Sequence, residues 1–307
     1  MRKLLLATGA LVICFLVLRL GGPLVVSSDT PPVDLETGSD ARTLVVVVHG
    51  FGGVSRPGLI ELAHTAFPGA HLIAPAYSTG PLRAFSNRDP YEIADVLETA
   101  IDRAFRRHDY QRIVLIGHSM GGVLLRKVYL WGAGQEEDRP ARRGRHSWVD
   151  RVERFVSLAA INRGWTIDPA PPNMKWYRRA EYGIGTVVGR LTGTGRMIFA
   201  MQRGAPFVAD SRVQWIRLAR QNLGRPLPLL IHLLGTRDDL ATKADVMDAQ
   251  AAKDFKSRFW PAPATPTSPP RWLTKSGPAG RARSGPARFS TVSRCHPISS
   301  RSMSPTC

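Results

Sequence analysis

With 307 residues, 43% of them hydrophobic, the chain is long enough for one large α/β domain or two small ones and apolar enough to bury a core. Lys and Arg number 42 against 24 Asp and Glu, a formal net charge of +18 that raises nucleic acid or an anionic membrane surface as a partner. The distribution of that charge argues against nucleic acid. One basic run (Arg271, Lys275, Arg281, Arg283, Arg288, Arg294, Arg301) fills an acid-free stretch after Phe259. The other, Arg139, Arg142, Arg143 and Arg145 beside Pro140 and Gly144, reads as a solvated loop, and neither is interleaved with aromatic residues.

Arg2 and Lys3 precede an apolar run from Leu4 to Leu18, and Asp29, Asp34, Glu36 and Asp40 follow it. The pattern over residues 1–26 predicts an uncleaved signal anchor, with a cleaved signal peptide as the alternative. The positive-inside rule then puts the domain on the extracytoplasmic side of a membrane; after cleavage it would be secreted or periplasmic. Cys14 follows "LVI" as a lipobox cysteine would, but Ile13 is too large for that position. Cys14, Cys295 and Cys307 have no zinc-like spacing, and the body between them has no disulfide.

Residues 27–42 are polar and contain Pro31 and Pro32, which predicts a linker. From residue 43 strands alternate with helices. "RTLVVVV" is a β-branched run suited to a strand buried on both faces, and "AHLIAPAY" (70–77) is the next strand. Asp89 as N-cap and Pro90 at the first position open a helix whose apolar residues Ile93, Val96, Leu97, Ala100, Ile101 and Ala104 recur at helical spacing. "RIVLIG", "VERFVSLAA" and "PLPLLIHLLG" read as further strands, the last of them the final clear one. This alternation predicts an α/β fold with a mostly parallel sheet and helices on both faces over residues 43–257.

Residues 161–225 interrupt the rhythm with the Gly-rich apolar stretch "EYGIGTVVGRLTGTGRMIFAMQRGAPF" and the amphipathic "DSRVQWIRLARQ". They read either as a cap insertion over a site or as helices packed on the sheet. After residue 257 the chain turns rich in Pro, Ser, Arg and Gly and loses its acids, so 258–307 is predicted to be a disordered basic tail. So abrupt a change is how an out-of-frame reading of a GC-rich gene looks. It would leave the carboxyl end incomplete, without its last strand and the loop behind it.

Two motifs carry chemistry. "GHSMG" (117–121) fits G-x-S-x-G between a strand and a helix. A serine there sits in a strained turn with its oxygen above the sheet, Gly117 and Gly121 clear the space, and the following helix points its positive end at a developing oxyanion. A small-residue packing turn is the plainer alternative, and the flanking strand and helix count against it. "VVVVHGFGG" (45–53) ends an earlier strand in a glycine-rich loop that begins with His49 and Gly50.

"HGFGG", "GHSMGG" and "GTRDD", in that order, make residues 43 to about 245 resemble the α/β-hydrolase superfamily, specifically its bacterial esterase/lipase-like group. The resemblance implies a serine hydrolase acting on a small-molecule or lipid acyl ester, with no metal and no organic cofactor. Acyl transfer to another alcohol would use the same groups. Ser119 would be the nucleophile, and the backbone N–H groups of Phe51 and Met120 the oxyanion hole. His49 and His118 belong to the two motifs rather than to a triad. The acid would come from "GTRDDLA", where Asp238 and Asp239 compete and the pattern G-x-x-D-x-x-V favours Asp238. The base should follow the acid, yet His64, His71, His108, His146 and His232 all precede it. Only His296 follows, inside the basic tail, so a catalytically impaired member of the same fold is the competing expectation.

Overall fold

The computed structural model describes residues 33–51, 53, 55–77, 88–139, 141–166, 174–221, 227–235, 241, 246 and 257–262. The chain divides into two compact units, Met1–Thr265 and Pro266–Cys307, and every described residue belongs to the first. Residues 1–26, read above as an anchor, lie outside the described set, as do Asp238, Asp239 and His296. Among the described residues no helix is long and apolar enough to cross a membrane.

Seven strands form one sheet in the order β1-β3-β2-β4-β5-β6-β7, where β1 is Leu35–Glu36, β2 Asp40–Val48, β3 Ala70–Ile73, β4 Arg112–His118, β5 Val152–Leu158, β6 Leu229–Gly235 and β7 Ser257–Ala262. Only β1 runs antiparallel to its neighbour. The helices are α1 (Arg56–Ala66), α2 (Pro90–Arg107), α3 (Met120–Gly132), α4 (Trp176–Thr192), α5 (Arg196–Ala200) and α6 (Pro206–Gln221).

The β-branched run of β2 explains the layering. Leu44, Val46 and Val48 join the core that contains α2, α3 and α6, whereas Val45 and Val47 pack with Leu59 and Ala63 of α1 on the opposite face. Alternate residues of one strand thus hold helices on both sides of the sheet. α2 starts as predicted, with the Asp89 carboxylate accepting the Tyr91 N–H at 2.9 Å. It buries Ile93, Leu97, Ile101 and Ala104.

Three expectations change, and one helix is added. The stretch read as a linker supplies β1, and β2 begins at Asp40. α1 escaped the sequence reading because Pro57 and Gly58 punctuate it, although proline is tolerated in a first turn. The sheet does not end at β6: β7 pairs with it in parallel, Leu230 opposite Ser257 through Gly235 opposite Ala262. The basic tail therefore begins beyond a further strand. Finally, Arg139 does not lie on a solvated loop; it is buried, paired with Asp95, Glu98 and Glu136, and Arg143 joins Asp95 and Glu98.

The helices of residues 161–225 differ in burial. α6 is sheet-packing: Phe207, Val208, Trp215 and Leu218 are buried, and the Trp215 ring meets Tyr129 and Phe155 with centroids 5.8 and 6.2 Å apart. α4 instead exposes Trp176, Tyr177, Ile184, Val187 and Leu191.

His232 of β6 faces the α3 side, opposite Ser157 in register, and its Nδ1 and the Ser157 Oγ are buried without hydrogen-bond partners among the described residues. Burial, helped by the charge of Arg126, pushes the His232 pKa down to about 4. The folded state therefore resists a proton that the unfolded chain accepts near pH ~6.5. Stability should be complete above that pH and fall as pH drops from about 6.5 toward about 4, with His232 contributing a loss of about 3 kcal/mol. Denaturant midpoints measured against pH check this: His232→Leu should flatten the decline relative to the wild type, and parallel curves would refute it.

Candidate active site

β4 runs into α3 through Ser119, whose backbone has φ 50° and ψ −120°. This positive-φ conformation costs a non-glycine residue about 1–3 kcal/mol and persists only where the surroundings enforce it. They do so with hydrogen bonds: the Ser119 N–H donates to Leu158 O at 2.9 Å, and its carbonyl accepts the Gly122 N–H at 3.1 Å. Beside it, at the end of β5, Ala159 has φ 46° and donates its N–H to Leu233 O at 2.7 Å. Two strained residues thus stand together where β4 and β5 leave the sheet.

The glycines work by close approach. A Cβ on Gly121 would lie 2.1 Å from Val48 O and 2.5 Å from His49 O, and one on Gly117 would lie 2.4 Å from the Gly122 Cα. A Cβ on Gly50 would come within 2.6 Å of His118 Nδ1 and 2.9 Å of the Ser119 Cβ. The loop after β2 is therefore pressed against the turn after β4, bringing together the two motifs that lie far apart in sequence. Met120 occupies the first position of α3, where an N–H has no intrahelical acceptor. The Phe51 N–H likewise has no hydrogen-bond partner among the described residues.

His49 holds the loop. It is buried, its ring stacks on Tyr77 with centroids 4.2 Å apart, and its Nε2 accepts the Tyr77 N–H at 3.1 Å. That acceptance leaves the proton on Nδ1, which donates to Gly50 O at 2.6 Å. The Tyr77 hydroxyl donates to His49 O. Burial lowers the His49 pKa against the opposing effect of the Gly50 hydrogen bond, so the ring is neutral with both nitrogens engaged. It is a scaffold rather than a base. His118 Nδ1 lies 3.0 Å from Ser55 Oγ, which also accepts the Gly50 N–H at 3.3 Å. Ser55 and Tyr77 were not anticipated. Ser55 carries a signal in its place just before a proline-bearing helix start, whereas Tyr77 has none beyond ending an apolar stretch.

The structure thus brings Ser119, Met120, Gly117, His118, Gly121, His49, Gly50 and Phe51 to one edge of the sheet. β6 ends at Gly235 on that same edge, because Leu158 pairs with Leu233. Asp238 and Asp239 follow it outside the described residues. The Ser119 side chain does not cap α3, and it makes no hydrogen bond with any described residue. Groups of His, Cys, Asp and Glu able to hold a metal are absent among the described residues.

A strand, a strained serine and a buried helix on a parallel sheet define a fold that the family comparison names. Residues 45–288 match the model of the alpha/beta hydrolase family, and the chain belongs to that family. The match runs past the composition change at residue 258. No curated protein matches the chain. Among solved structures it is similar to a monoacylglycerol lipase of Paleococcus ferrophilus, at 16% identity over 79% of this chain and 94% of that one, with a TM-score of 0.43. It is also similar to a meta-cleavage product hydrolase of Pseudomonas fluorescens, at 14% identity over 78% and 90%, with a TM-score of 0.43. A structure from work on carboxylesterases of Nitrososphaera gargenis covers 78% of this chain and 89% of its own at 15% identity and a TM-score of 0.41.

If enclosure enforces the Ser119 backbone, glycine there should relieve strain. Ser119→Gly is expected to raise unfolding stability by about 1 kcal/mol, with Ser119→Ala close to the wild type. Thermal melts of the three proteins decide it, and a Gly variant no more stable than the Ala variant would count against the strain.

Proposed function

We propose that the chain is a serine hydrolase of carboxylic esters, with Ser119 as nucleophile, the Phe51 and Met120 N–H groups as oxyanion donors and Asp238 as the orienting acid. The observation that carries this reading is the strained backbone of Ser119 with the Gly50 loop pressed against it. A carbonyl carbon presented to Ser119 Oγ would form the new C–O bond while its oxygen takes the developing negative charge. The positive end of α3, a helix of 13 residues, favours charge at that place. Collapse of that adduct would break the ester C–O bond and expel the alcohol, which takes up the proton lost by the serine. Water would then attack the acyl-serine, releasing the acid and regenerating the serine.

A second reading, a family member impaired in catalysis, draws on the sequence: every histidine but His296 precedes the candidate acids, and His296 lies in the basic, acid-free stretch. A serine without a base in reach is a weak nucleophile. His296 is the candidate for that base because it follows the acid in the chain, and His49 is engaged at both nitrogens.

A fluorophosphonate probe separates the readings on the folded full-length chain. Labelling that is lost in Ser119→Ala, with ester turnover falling by about 10⁴-fold or more, is the expected result. Folded protein that takes no label would establish the impaired reading instead. Labelling that survives His296→Ala would remove that residue as base and leave the rest of the assignment in place.

A further inference from the structure

α4 is amphipathic in an unusual sense, because its apolar stripe faces solvent. Trp176, Ala180, Ile184, Val187 and Leu191 follow one another at helical spacing with Tyr177 beside them, and all are exposed: Trp176 81%, Ile184 66%, Val187 57%, Leu191 55%. Among the described positions of α4, Gly189 is the buried one. A Cβ on Gly189 would lie 3.0 Å from Thr194 O and 3.1 Å from the Phe199 ring, which marks where α4 rests on α5. α5 in turn is tied to the catalytic edge: Trp165, just after β5, donates its N–H to Met201 O and its indole N–H to Ile198 O at 3.1 and 3.0 Å. Arg196 pairs with Asp89 at the start of α2. The stripe therefore rises from the edge of the sheet that carries Ser119.

Cations border the stripe. Lys175, Arg179 and Arg190 are exposed along α4, with the Lys175 ammonium 5.8 Å from the Tyr177 ring and the Arg190 guanidinium 5.9 Å from the Phe199 ring. A helix with aromatic and aliphatic groups on one face and cations at its border suits the boundary between headgroups and acyl chains, where each cation near an anionic surface adds about 1 kcal/mol. A folded protein partner would meet this border and the chain's net charge of +18 as repulsion unless it were acidic. We infer that α4 is an interfacial element that lays Trp176, Ile184, Val187 and Leu191 into an anionic lipid surface, holding the catalytic edge against the membrane. This holds whether or not Ser119 is active.

Hydrogen exchange over residues 176–192 tests it in the full-length chain, reconstituted into phosphatidylcholine vesicles with or without phosphatidylglycerol. With accessible anionic lipid at ten times its dissociation constant, exchange in α4 should slow by about tenfold. The Ile184→Glu/Val187→Glu variant should lose that slowing while β4 and α3 exchange as in the wild type. Equal exchange in both vesicles would overturn the proposal. So would slowing that rises with protein concentration in the absence of anionic lipid, since a second copy would then be what covers the stripe.

Discussion

Everything at the candidate site depends on the close approach of backbones at the ends of β2 and β4. The carbonyls of Val48 and His49 lie where a side chain at position 121 would be, and Gly50 lies against Ser119. This contact forces α3 to begin immediately after the strand, leaving Ser119 in a conformation a serine would not choose. It also explains why the site is built from glycines on two segments rather than from one loop. The strain is offset by the burial of α3, in which all 13 residues are buried.

That burial has its own cost, because α3 carries two cations into the core. Lys127 is held by Asp138 and by Gln214, whose side-chain oxygen accepts at 3.0 Å, and lies near the rings of Tyr91, Trp131 and Phe207. Burial opposes ionisation of Asp138, yet the Lys127 charge with the hydrogen bonds of Lys127, Trp131 and Gln214 keeps its pKa below the ordinary carboxylate value. Removing one partner would strand the other charge, at about 3–5 kcal/mol. Asp138 begins the stretch that continues through Arg139 and Arg143 to α2. The ion pairs thus clamp the helices on either side of α3 and hold the turn at Ser119 in place.

What the sequence made legible was local. The β-branched run of β2, the Asp89–Pro90 start of α2 and the glycine-flanked serine each announce themselves within a few residues, and the order of the motifs led to the fold. What it hid depends on distant partners. Arg139 looks solvated until Glu98, 41 positions earlier, is brought beside it. His49 reads as a motif residue, and only Tyr77 shows that its nitrogens are taken. β7 was hidden by Pro261, which argues against a strand but is tolerated where β7 lies, at the edge of the described sheet.

The proposal at the centre of the account is that Ser119 Oγ is the atom that attacks an acyl carbon. Acid quenching the full-length protein during turnover of an activated ester, followed by peptide mass spectrometry, tests that claim at the atom concerned. The account predicts an acyl adduct on the peptide containing Ser119 and none in Ser119→Ala. Ester turnover that accumulates its adduct on another residue, or that continues undiminished in Ser119→Ala, would contradict it.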